Sequence, residues 1–195
     1  MLLGPADPLP APVRRVAIAG CSGSGKSTLA RALAALPYTE LDGLFHGPDW
    51  IERPTFDADV RALVARDRWV TDYGYGRARP LLLPRLDLLV WLDLPRWRVM
   101  TQVVPRTVVR RVRRVELWNG NVEPPFRSVL TDPDHIVRWA WRTHPKTAVQ
   151  VGRAREARPE LPVVRLRSRR EVRRWLAGPA DALRAIPLAD RRQAG

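Results

Sequence analysis

A chain of 195 residues, 45% of them hydrophobic, is long enough for one domain with a sizeable core and too short for two ordinary ones. Its longest apolar runs, such as Leu81 to Leu83 and Leu88 to Leu92, fall far below the roughly 20 residues that a membrane-crossing helix needs, and a lone cysteine, Cys21, excludes an internal disulfide framework and a multi-cysteine zinc site. The net charge of +14 attracts polyanions, but Lys26 and Lys146 are the only lysines among 34 basic residues and the arginines are spread along the chain, which points to composition before it points to a binding surface.

Met1 to Pro12 has neither the basic start nor the apolar run of a signal peptide, so a cytoplasmic protein is expected, a monomer or weak homodimer with no membrane partner. Residues 1–12 carry four prolines, Pro5, Pro8, Pro10 and Pro12, and read as an extended leader without its own core. A domain is expected over 13–178 and a loosely held tail over 179–195. Val16 to Ala19 reads as a buried strand and Ser27 to Leu36 as a helix, with Leu29, Leu33 and Leu36 at helical spacing. Tyr38 to Leu41 predicts a second strand, Asp57 to Asp67 a helix burying Val60, Leu63 and Val64, Trp69 to Thr71 a third strand and Asp87 to Leu92 a fourth. After Pro95 a long helix is expected through Met100, Val104, Val108, Val112 and Val115, bent at Pro105, which lacks a backbone donor. Glu116 to Leu130 has loop chemistry. A helix opened by Asp132 and Pro133 carries Val137 and Trp141, and Pro162 to Leu166 and Arg169 to Ala177 predict a last strand and helix. Alternating strands and helices imply an α/β fold with a parallel sheet covered on both faces.

The strongest signal lies between the first strand and helix. Gly20-Cys21-Ser22-Gly23-Ser24-Gly25-Lys26-Ser27-Thr28 satisfies G-x-x-x-x-G-K-[ST] in the strand-to-helix context the pattern requires. Glycines let backbone N–H groups converge on phosphate oxygens, and the helix adds its positive end at the same point. Gly20, Ser22, Gly23, Ser24, Gly25, Lys26, Ser27 and Thr28 are therefore expected to hold ATP, with Lys26 on the β- and γ-phosphates and Ser27 on Mg²⁺. Cys21 is read as simply a small residue in the turn.

With these residues in view, the chain resembles small P-loop nucleotide kinases of the adenylate-kinase-like group, and more closely the bacterial adenylate-kinase-related proteins sometimes labelled DNA topology modulation proteins. The shared landmarks are the GCSGSGKST turn, Leu41-Asp42, Trp69-Val70-Thr71-Asp72 and Val90-Trp91-Leu92-Asp93, over roughly residues 13–178. The resemblance implies a P-loop three-layer sandwich with five parallel strands in the order 2-3-1-4-5, ATP on the turn, an acceptor pocket over strands two and three, and an arginine-bearing lid at about 116–131. Gly120, Pro124 and Pro125 suit such a lid. The Arg-x-x-x-Arg pair that opens the lid in those enzymes is matched by Arg106 and Arg110, and the pair after it by Arg138 and Arg142. The Arg167-Ser168 corner resembles the turn that contacts adenine. Adenylate kinases carry Thr-Gly-Asp and Asp-Gly-aromatic-Pro-Arg where this chain has Leu41-Asp42-Gly43 and Asp72-Tyr73-Gly74-Tyr75-Gly76-Arg77, so the resemblance does not carry AMP as acceptor.

Residue chemistry points the same way. Asp42 and Asp72 end predicted strands, beside the crevice where open parallel sheets bind ligands. Asp72 is assigned to the Mg²⁺ water shell and Asp42 to the acceptor, as a hydroxyl-orienting base. Arg106, Arg110 and Arg113 recur at helical spacing opposite the Val104, Val108, Val112 stripe, while Arg53, Arg77 and Arg79 stand where an anionic acceptor could meet them. The expected activity is transfer of the ATP γ-phosphate to a nucleotide or other small acceptor. A simple NTPase using Asp93, and an ATP-switched nucleic-acid-binding or regulatory module motivated by the charge and the tryptophans, stand as alternatives. Trp69 and Trp91 lie in predicted strands, Trp139 and Trp141 cannot share a helix face, and His46, His135 and His144 have no metal-ligand spacing.

Overall fold

The computed structural model describes residues 1–10, 12–33, 36–122 and 135–184. Six parallel strands form one sheet: β1 (Leu2–Leu3), β2 (Arg15–Ala19), β3 (Tyr38–Thr39), β4 (Trp69–Asp72), β5 (Leu88–Leu92) and β6 (Val163–Leu166), in the order β1-β6-β5-β2-β4-β3. The strands between β3 and β6 follow the expected succession, but the sheet has six strands and not five. The extra one comes from the proline-rich leader. Leu2 and Leu3 precede its first proline, pair with Val163 and Val164, and cap the edge of β6 that would otherwise stay open, with Leu3 buried.

The central strands are apolar on both sides, as a sheet covered on both faces requires. Val16 and Ile18 of β2 and Leu88, Val90 and Leu92 of β5 point into one layer. There they meet α1 (Lys26–Ala32), α7 (Arg169–Leu176) and α8 (Asp181–Arg184) through Leu29, Trp175 and Leu183. Ala17, Ala19, Leu89 and Trp91 point the other way, into a layer holding α2 (Leu41–Phe45), α3 (Phe56–Ala65), α4 (Arg79–Leu82) and α6 (Ile136–Ala157), through Leu41, Phe56, Val60, Leu82 and Val151. Ala180 and Leu183 are also buried in the first layer.

Two differences from expectation shape the site. The second strand stops at Thr39, because the Leu41 backbone N–H bonds the Asp72 carboxylate at 2.9 Å and the chain turns at Glu40 into α2. The long helix α5 (Arg96–Val112) runs through Pro105, but it buries Val99, Val103 and Thr107 rather than the valine stripe. Val104, Val108 and Val112 face outward, 42%, 42% and 70% exposed. The cause is Val103, which packs against the glycine turn where no Cβ intervenes, and Arg106 and Arg110 consequently stand half-buried beside the inward row. α6 is capped by His135, whose Nδ1 accepts the Val137 N–H. The helix start expected at Asp132-Pro133, the lid beyond residue 122 with Pro124 and Pro125, and the tail over 185–195 lie outside the described residues. Among the described residues no helix is long and apolar enough to cross a membrane.

Candidate functional site

The glycine turn joins the carboxyl end of β2 to the first turn of α1. Gly23 and Gly25 have φ of +78° and +98°, a region that penalises any Cβ, and the turn is closed by Ser24 N–H donating to the Cys21 carbonyl at 3.1 Å. A Cβ on Gly23 would lie 2.0 Å from Val103 Cγ2. Gly23→Ala is therefore expected to destabilise the fold by about 1–3 kcal/mol through strain and overpacking, read as a lowered melting temperature, while Gly20 to Thr28 otherwise keep their sequence.

Acidic side chains surround this turn. Lys26 extends its Nζ to the Cys21 carbonyl at 3.2 Å, and the Ser27 hydroxyl donates to Glu40 Oε1 at 2.6 Å. Glu40 Oε2 in turn accepts the Trp118 indole N–H at 3.1 Å, with the Arg31 guanidinium 4.0 Å away. Asp72, at the end of β4, is buried, and its Oδ1 is held by Leu41 N–H while Oδ2 lies against Gly74, where a Cβ would stand 2.7 Å from it. Burial pushes the Asp72 carboxyl up to about 6; Asp42 and Glu40 add to that shift, and Lys26 and the Leu41 N–H oppose it. Asp42, in the first turn of α2, accepts the Tyr75 hydroxyl at 2.6 Å, and that hydroxyl lies 3.2 Å from His46 Nε2. Burial and the Asp42 charge raise Tyr75 well above the ordinary phenol range, so it stays a protonated donor. The Cys21 thiol is likewise pushed up, first by burial, which makes it an unreactive small residue.

A cavity of about 360 Å³ opens on the opposite flank of the turn, lined by Ser24, Gly25, Thr28, Gln102, Arg169 and Arg173 among others. The turn thus lies between an acidic, aromatic cluster and a cavity bordered by α1, α5 and α7. On the acidic side two short hairpins meet. His46 bridges Glu52, and Glu116 bridges Val122. The buried Asn121 ties them by donating to the Gly47 and Trp118 carbonyls, both at 2.8 Å, and accepting the Trp50 N–H at 2.9 Å, and Asn119 also bonds the His46 carbonyl. This lock draws Trp118 over Glu40 and Gly43.

The structure therefore brings Lys26, Ser27, Asp42 and Asp72 together and adds Glu40, Tyr75, His46 and Trp118. Glu40 was hidden inside a run that resembled a strand, and Trp118 reaches the site only through the Asn121 lock. Arg138 and Arg142 lie on the exposed side of α6, with Arg142 over the Trp139 ring at 5.4 Å. Arg113 is exposed beyond the last turn of α5. Asp93, the residue of the simple NTPase alternative, pairs with Arg165 at 2.8 and 2.5 Å, and that guanidinium also covers Trp91. His144 bonds the Leu94 carbonyl. Trp69, Trp91 and Trp175 are core residues, while Trp97, Trp139 and Trp141 are exposed beside arginines.

No protein-family model matches the chain, and no curated protein matches it. Among solved structures the chain is similar to an unliganded sugar kinase from Janibacter sp. HTCC2649, at 18% identity and a TM-score of 0.40, the match covering 89% of this chain and 91% of that one. A likeness of that size leaves the function to be argued from the site.

Proposed function

We propose that the protein is an ATP-dependent phosphotransferase acting on a small-molecule acceptor. The observation that carries this reading is the convergence of Lys26 and Ser27, at the start of α1, with Glu40, Asp42 and Asp72 at the carboxyl ends of β3 and β4. In this reading the N–H groups of Gly20 to Thr28 and the Lys26 ammonium bind the triphosphate, and the α1–α5–α7 cavity takes the nucleoside, with Thr28, Gln102, Arg169 and Arg173 on its walls.

Mg²⁺ fits the donor set, since the Ser27 hydroxyl and the Glu40 and Asp72 carboxylates are hard oxygens that lie together. Among the described residues no cluster of three or more His, Cys, Asp or Glu side chains could hold a metal. When bound it supplies charge neutralisation at the phosphate oxygens. Arg106 and Arg110 are assigned to the transferring group, because Val103, one turn before Arg106 and Thr107, packs on Gly23. Arg138 and Arg142 carry no role in this proposal.

Asp42 performs the acceptor chemistry. Tyr75 engages its Oδ1, which leaves Oδ2 for the acceptor hydroxyl. As the acceptor oxygen bonds the γ-phosphorus, the bond from that phosphorus to the β–γ bridging oxygen breaks, ADP departs and the hydroxyl proton passes to Asp42. Asp42→Asn keeps the Tyr75 hydrogen bond and loses the base. It is expected to lower kcat by about 10²–10⁴-fold with ATP affinity unchanged, measured by steady-state kinetics beside calorimetric ATP titration; unchanged kcat removes Asp42 from the mechanism.

A further inference from the structure

We infer that the acceptor is an uncharged ring polyol, a compound of the sugar or nucleoside type, and not a phosphorylated one. The inference rests on the phosphotransferase reading and names the substrate class of that same site. Three observations carry it.

The pocket wall beside Asp42 is aromatic. Phe45 stacks on Tyr75 with ring centroids 4.3 Å apart, Trp118 lies 6.4 Å from His46 in a stacked orientation, and Trp50 meets Trp118 edge-on at 6.3 Å. Phe45, His46, Tyr75 and Trp118 are each half-buried, so each retains accessible ring surface. Such ring surface suits the C–H face of a ring polyol.

The polar groups beside that wall are carboxylates. Glu40 and Asp42 can accept hydrogen bonds from hydroxyls and repel an anion. With Glu40 and Asp72 engaged by a cation, Asp42 still presents a negative charge on the acceptor side.

Two of the three arginines expected to meet an acceptor phosphate, Arg53 and Arg77, are occupied. Arg53 donates to the Gly43 carbonyl at 3.2 Å and pairs with Asp59 at 3.1 Å. Arg77 is clasped by Glu52 and, at 2.9 Å, by Asp57. Both act as struts between α2, α3 and the loop after β4. Arg79 stands apart from those pairs, beside Tyr73, and is the one of the three left to meet an anionic acceptor.

Matched panels decide the matter: monosaccharides and nucleosides against their own monophosphates, at fixed Mg²⁺-ATP, with ADP release measured for the full chain and ATP binding measured separately by calorimetry. At least one neutral compound is expected to have a kcat/KM at least tenfold above that of its phosphorylated counterpart. Trp118→Ala is expected to raise its KM at least tenfold with ATP affinity unchanged. Preference for a monophosphate, especially one lost in Arg79→Gln, overturns the inference and leaves the phosphotransferase reading standing. ATP binding with no member of either panel phosphorylated also overturns the inference. Absence of ATP binding overturns the phosphotransferase reading, and the inference falls with it.

Discussion

Lys26→Ala is expected to lower ATP-dependent turnover by about 10²–10³-fold or more while the protein stays folded. The ammonium is the only lysine charge near the turn, and removing one fixed donor from a site where phosphate charge is stabilised costs a loss of that order. The fold has little to lose, because in this structure Lys26 Nζ bonds one backbone carbonyl, that of Cys21, and alanine is a good helix former at the first residue of α1. The melting temperature should therefore change by no more than about 1 kcal/mol of stability implies. A variant that melts normally and turns over at the wild-type rate would take Lys26 out of the reaction.

Asp72→Asn should have two opposite effects. Burial pushes the Asp72 carboxyl up to about 6, above the ordinary aspartate range near 4, so the folded state holds the proton more tightly than the unfolded one. Stability consequently declines as pH rises from about 4 through 6 and stays reduced above that window. Asparagine is neutral throughout, and its carbonyl can still accept the Leu41 N–H, so in metal-free protein the variant should gain roughly 1–3 kcal/mol above pH 6 and little below pH 4. Activity should move the other way, falling about 10²-fold or more as an oxygen donor for the cation is lost. Thermal melts in chelator between pH 4 and 8, beside turnover at pH 7.5, test both. A variant less stable than the wild type at pH 7.5 would show that the carboxylate is not under electrostatic strain.

The turn itself was legible in the chain, because its chemistry depends on consecutive residues: glycines where φ is positive, then Lys26 and Ser27. The buried strands β2 and β5 were legible for the same reason, as continuous apolar runs. What escaped was set by rotation and contact. Val104, Val108 and Val112 have the periodicity of a buried stripe, yet the helix turns Val103 inward, since a side chain at that position fills the space a missing Cβ leaves at Gly23. Glu40 became a site residue only because Asp72 caps Leu41 and the strand ends at Thr39, two residues earlier than expected. Trp118 reached the site through Asn121, whose partners Gly47 and Trp50 lie more than seventy residues away in sequence. The strand formed by Leu2 and Leu3 depends on the exposed edge of β6, which no local pattern announces.

Triphosphate binding at the glycine turn is tested most directly by calorimetric titration of Mg²⁺-ATP into the wild-type protein and into Lys26→Ala. The expected result is one saturable site per chain in the wild type, weakened at least tenfold by the substitution. Absence of binding to the wild type, or equal binding to both proteins, would contradict the account.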